Sequence, residues 1–251
     1  MAQVYTRVVS MYLAGRNIGT SVVSASVVMG LADAHDITVF GDTAERVLGT
    51  GRRSDAVSIS ARFDDEQSMD DLVGSGAIGA TANNIMMLMI GTATGARAWC
   101  GTGILVQANN PTDVAGLVMS ESVFKPDSAI DGCVHFGSAS TFTSANGTGI
   151  VNSLISNPSG TSVGTAAFYV SMVTGSFGGG TAKVFLQHFT GGVFVNIATA
   201  LFTGSTTGSS VRLLTTASAG TMQPTARVIW ESDGTDITVV AALARAPYSD
   251  T

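Results

Sequence analysis

From Gly132 to Ala182 the chain carries no Asp, Glu, Lys or Arg. So long a run without charge must be buried, covered by something else, or kept wet by hydroxyl and amide groups. Part of it, Ala166 to Val173, is apolar and strand-like. Another part, Ser138 to Gly164, is rich in Ser, Thr, Gly and Asn and reads as a linker with one poor strand. Charges return unevenly on either side. Fourteen of the 18 acidic and eight of the 12 basic residues lie before residue 132. This shift predicts two domains, 1–140 and 141–251.

Over all 251 residues only 12% are charged while 45% are hydrophobic. That is about half the usual charged share for a soluble domain. Symmetric assembly would cover such a surface; Ser and Thr hydroxyls would also keep it soluble. Net charge is −6, and Lys125 and Lys183 are the only lysines. Tight nucleic-acid binding needs cations that displace counterions, so it is not expected. No apolar run approaches the ~20 residues of a membrane helix. The longest, Ile85 to Ile90, suits a buried strand. Cys100 and Cys133 are the only cysteines and read as reduced, buried residues.

The C-terminal half reads as antiparallel β. Lys183 to Phe189 and Val193 to Ala198 flank Thr190-Gly191-Gly192, and Gly-Gly supplies the positive φ angles of a tight hairpin. Arg227 to Trp230 and Ile237 to Leu243 flank Asp233-Gly234, a second hairpin signal. Strands about ten residues apart with turns between them indicate a β-sandwich.

The N-terminal half is also mainly β. Val4 to Leu13, Ser21 to Met29, Asp36 to Phe40, Trp99 to Gln107 and Leu117 to Phe124 are strand-like. Ser54 to Phe63 alternates, with Val57, Ile59, Ala61 and Phe63 on one side. Between Phe40 and Ser54 runs a polar, glycine-rich arm. Ser68 and Asp71 fit a capping box that opens a short helix.

Chemistry-bearing motifs are weak. Gly74 to Gly79 matches G-x-G-x-x-G, but a helix precedes it and a strand follows, the reverse of a dinucleotide site. Asp64, Asp65, Glu66, Asp70 and Asp71 lack calcium-loop spacing and read as a turn and a helix start. His35, His135 and His188 are isolated, which disfavours zinc. No nucleophile elbow or P-loop is present. These readings predict no enzyme, no cofactor and no metal. In the arm, Arg46, Arg52 and Arg53 mix with Asp42, Glu45 and Asp55, near Asp33 and Asp36. Such a two-signed patch suits polar docking to a like subunit, or a solvated loop.

Three runs together resemble the major tail tube proteins of long-tailed bacteriophages. They are Ile37-Thr38-Val39-Phe40-Gly41-Asp42, then Gly49-Thr50-Gly51, then Ser58-Ile59-Ser60-Ala61-Arg62-Phe63-Asp64-Asp65, followed by the helix at Ser68 to Gly76. Phe168-Tyr169-Val170, Val184 to His188, Arg227 to Trp230 and Ala242 to Arg245 look like the β-sandwich that ends many longer tail proteins. The chargeless segment departs from the family.

The resemblance implies an N-terminal tail-tube-like β-sandwich or barrel with a β-hairpin arm, then a C-terminal β-sandwich on the outside. It implies hexameric rings stacked into a tube, with an acidic channel that passes genomic DNA. The arm from about Leu31 to Ser54 would contact an adjacent ring through Asp33, Asp36, Asp42, Glu45, Arg46, Arg52 and Arg53. Its partners would be itself and the tape-measure, terminator and baseplate proteins. It would reside in the virion tail after assembly in the host cytoplasm, without membrane insertion. Two alternatives stay open: another virion part (a terminator, baseplate or capsid decoration protein), or a glycan-binding tail module.

Overall fold

The computed structural model describes residues 8–30, 34–36, 47–49, 55–62, 84–90, 94–109, 119–126, 130–136, 140–142, 147–153, 166–176, 181–203, 209–215, 225–232 and 235–244. These residues form strands and turns, and no helix occurs among them. The mainly β class read from alternation is the class observed. The helix expected at Ser68 to Gly76 lies outside the described residues.

In the N-terminal half, β1 (Val8–Leu13) turns into β2 (Arg16–Asn17) and pairs with β7 (Asn84–Ile90). From β7 the antiparallel order runs through β8 (Arg97–Asn109), β9 (Met119–Pro126) and β6 (Ala56–Arg62) to β3 (Val22–Val28). Met11, Leu13, Val57, Ile59, Ala61, Met86, Leu88 and Phe124 converge on one core. The alternation of β6 is as expected: Val57, Ile59 and Ala61 are buried, and Ser58, Ser60 and Arg62 are turned out.

In the C-terminal half, one sheet has the order β12 (Gly147–Ser153), β17 (Ala226–Ser232), β14 (Thr181–Thr190), β15 (Val193–Thr203). Against it pack β13 (Ala166–Ser176) and its neighbours β16 (Ser209–Thr215) and β18 (Thr235–Ala244). Phe168, Val170, Val184, Leu186, Val228, Trp230, Val239 and Leu243 fill the space between the two layers.

The two halves share a sheet. One edge of β8 holds β10 (Asp131–His135) over residues 97–100 and β9 over residues 103–109. β10 in turn pairs with β18 through Val134–Leu243 and His135–Ala242, and β11 (Ser140–Phe142) continues along the same edge of β18. Hydrogen-bonded strands cross the border expected near residue 140, and Phe136, which precedes it, packs in the core of the C-terminal half. A third apolar cluster joins Tyr12, Met87, Met89 and Ala98 to Ala167, Tyr169, Val240 and Ala242.

This arrangement explains two sequence features. β7 is apolar from Ile85 to Ile90 because Met86 and Leu88 face one core while Met87 and Met89 face another. β13 lacks charge because it is a central strand buried on both faces: Phe168 and Val170 lie on one side, Ala167 and Tyr169 on the other.

Two expectations are corrected. β17 and β18 do not form a hairpin around Asp233-Gly234. β17 already has β12 and β14 on its two edges, so the chain crosses to the opposite layer and both strands face the same core. The stretch read as a linker contains β11 and β12, because β17 and β18 offer free edges to it. β6 lies between β3 and β9 in the sheet. The arm is an excursion between β3 and β6.

Candidate functional site

Within the arm, β4 (Ala34–Asp36) pairs antiparallel with β5 (Val47–Gly49) as a separate two-stranded sheet. Asp36 stands opposite Val47, and His35 opposite Leu48. Of the seven candidate contact residues, only Asp36 is among those described. Asp33, Asp42, Glu45, Arg46, Arg52 and Arg53 lie outside them.

Asp55, read from sequence as part of the polar patch, is buried instead. Its Oδ1 accepts from the Gly30 amide at 3.3 Å and its Oδ2 accepts from the Ile130 amide at 3.0 Å. Gly30 ends the segment that enters the arm, and Asp55 begins the one that leaves it. The carboxylate therefore closes the root of the arm and ties it to the start of β10. Charge-assisted acceptance of this kind is stronger than a neutral hydrogen bond.

Beside that root, the outward side of β3, β6 and β9 carries mostly small residues, with Glu121 among them. Ser24 stands opposite Ser60 and Ser26 opposite Ser58. Glu121 and Val123 continue the rows on β9. Together they border an open groove of about 320 Å³. Val23, Val28 and Met29 on this edge are exposed, as is Val106 on β8. Such exposure is ordinary for single residues, but here the apolar residues lie near one serine-rich face.

A second polar feature had no signature in the sequence. Asp131, Tyr169 and Arg212 come from β10, β13 and β16. The Tyr169 hydroxyl donates to Asp131 Oδ2 at 2.6 Å, and Arg212 Nε donates to the Tyr169 oxygen at 2.9 Å. Arg212 Nη2 lies 3.6 Å from the same carboxylate oxygen. Burial, reinforced by the Asp131 charge, pushes the Tyr169 hydroxyl far above its ordinary range. Cys100 and Cys133 are free and buried beside this network. Burial, then the neighbouring Cys100, raises the Cys133 thiol well above its usual value, so neither chemistry nor exposure favours a thiolate nucleophile there.

A third array lies on the outward face of β17, β14 and β15. Arg227 Nε donates to Gln187 Oε1 at 2.7 Å, and Gln187 Nε2 donates to Asn196 Oδ1 at 2.6 Å. The Arg227 guanidinium sits 3.7 Å from the centre of the Phe194 ring, and Phe194 meets Phe189 at 5.1 Å and 60°.

Among the described residues, no group of three or more His, Cys, Asp or Glu side chains could hold a metal ion, and no helix is long and apolar enough to cross a membrane. His188 on β14 is buried, and that burial lowers its pKa. The G-x-G-x-x-G run and the acidic cluster at 64–71 lie outside the described residues.

No protein-family profile matches the chain, and no curated protein matches it in sequence. Solved structures that match include a chain from the virion of a native gene transfer agent particle, at 14% identity and a TM-score of 0.36. That match covers 47% of this chain and 87% of the other. The SPP1 Dit protein, described as a hub adsorption apparatus of phages infecting Gram-positive bacteria, matches at 9% identity and a TM-score of 0.33, over 93% and 98% of the two chains. A chain of the phage p2 baseplate in its activated conformation matches at 7% identity and a TM-score of 0.35, over 96% and 99%.

Proposed function

We propose that this chain is a structural virion subunit of a phage tail, which assembles with copies of itself into stacked rings that form a tail tube. The observation that carries the reading is the arm. A separate two-stranded sheet, β4–β5, leaves the body between two paired strands, and a buried carboxylate, Asp55, fixes its root. A hairpin held this way can extend to a neighbouring copy while the body stays folded. The serine-rich face beside its root suits coverage by another subunit, which would offset the low overall charge. The motifs quoted for the tail tube resemblance run through the same arm. In this reading the protein performs no catalytic step, and DNA passes through the ring without being bound tightly.

Negative-stain electron microscopy of the purified protein at rising concentration tests the reading. Rings that stack into tubes are the expected result. Deletion of residues 41–53 should abolish tubes and leave a folded protein by circular dichroism. Tubes that form normally after the deletion would overturn the role given to the arm, and closed rings that never stack would move the protein to another virion part.

A further inference from the structure

The array around Arg227 holds a guanidinium more firmly than a solvated surface arginine requires. The side chain starts on β17, is bonded through Nε to Gln187 on β14, and lies over Phe194 on β15. Three strands therefore fix one cation. With Nε taken and one face stacked, the two terminal nitrogens remain as a fork, the geometry that matches a carboxylate. Among the described residues no carboxylate is within ion-pair distance of that fork. Glu231, on the same face, sits 3.8 Å from Lys183.

Two neighbours complete a recognition surface. Gln187 donates to the Asn196 carbonyl oxygen, which fixes the exposed Asn196 side chain with its amide nitrogen free to meet a hydroxyl. Phe189 is 42% exposed and leans against Phe194, so it offers an apolar ring face beside the cation. Gly191 and Gly192, both at positive φ, close the hairpin next to it and fix where the ring stands. We propose that Arg227, Asn196 and Phe189 form a binding site for a carboxylate-bearing saccharide. Arg227 takes the carboxylate, Asn196 a ring hydroxyl, and Phe189 the C–H face of the sugar. The chain as a whole is acidic, so a carboxylated polymer gains nothing from general attraction and depends on this local fork. The site lies within one chain and does not rest on ring formation.

Calorimetric titration of the full chain tests it. The probes are short oligomers of galacturonate, glucuronate and sialic acid, with carboxyl-reduced oligogalacturonate and polyglutamate as controls. Saturable binding of at least one acidic oligomer is expected. Arg227→Gln and Phe189→Ala should each weaken that binding about tenfold or more, a loss of about 1.4 kcal/mol. Phe189→Ala removes a half-exposed ring, so an unchanged melting temperature separates lost binding from lost fold. The proposal is overturned if none of the three acidic oligomers binds. It is equally overturned if both variants bind as the parent does, or if polyglutamate binds as well as the sugars.

Discussion

Tyr169 and Asp131 join the two halves of the molecule through a 2.6 Å hydrogen bond made where neither residue is exposed. Their strands lie on opposite sides of β18 in the shared sheet, and Arg212 adds a third strand to the link. Tyr169→Phe keeps the ring and removes only the hydroxyl. It should cost about 1.5–3 kcal/mol, the range for a hydrogen bond to a charged group. Arg212→Ala should cost about 3 kcal/mol or more, because it takes the cation from a buried carboxylate. Urea unfolding with an unchanged slope measures both. If Arg212→Ala proves the milder of the two, then the cation is not what compensates burial of Asp131.

The same network sets a dependence on pH. The Tyr169 hydroxyl is raised above its ordinary value of 10.0 in the folded protein. Above that pH the unfolded chain gives up the proton while the folded chain keeps it, so stability falls as pH rises. Cys133, raised above its ordinary 9.0, acts in the same direction. His188 is lowered below 6.5, so the unfolded chain gains its proton first and stability falls as pH drops through that region. Denaturation midpoints should thus decline on both sides of neutrality. In Tyr169→Phe the alkaline decline should be shallower; an identical alkaline limb would assign it to Cys133 and the exposed groups.

Asp55 gives a separate test at the root of the arm. Asp55→Ala removes the acceptor of both the Gly30 and Ile130 amides, and should destabilise the fold by about 1–3 kcal/mol. It should also raise the rate of tryptic cleavage at Arg46, Arg52 or Arg53 more than at Arg97 or Arg227. Uniformly faster cleavage at all these sites would indicate global loosening, and would remove the special link between this carboxylate and the arm.

Much of the β architecture was legible because alternation is a local signal. Val57, Ile59 and Ala61 on β6, the buried run of β7, and Gly191-Gly192 all announce themselves within a few residues. What sequence could not carry was pairing. β17 and β18 are close in sequence with turn residues between them, yet they belong to different layers, because β12 arrives from far upstream to occupy the edge of β17. The Asp131–Tyr169–Arg212 network was invisible for the same reason: its members are 38 and 43 residues apart. Asp55 was misread because a buried carboxylate inside a charged segment looks like its solvated neighbours. A lone Asp before an alternating strand, with a glycine ending the preceding strand, was the one available hint of its role.

Ala14 and Gly191 hold equivalent places in two hairpin turns. Leu13 pairs with Arg16 across Ala14-Gly15, and Thr190 pairs with Val193 across Gly191-Gly192. All four turn residues have positive φ: 48° and 79° in the first turn, 57° and 87° in the second. Two-residue turns of this kind favour Asn or Gly at the first position. An L-residue with a Cβ costs about 1–2 kcal/mol in the left-handed region. Ala14→Gly should therefore stabilise the protein, by about 1 kcal/mol once the glycine's greater freedom in the unfolded chain is set against the relieved strain. Gly191→Ala should destabilise it by a similar amount, although its Cβ would meet nothing within 4 Å, so the penalty would be of backbone origin alone. Thermal melts of the two variants should move in opposite directions. A fall in both would mean that the Ala14 methyl, which packs on the N-terminal core, contributes more than its backbone angle costs.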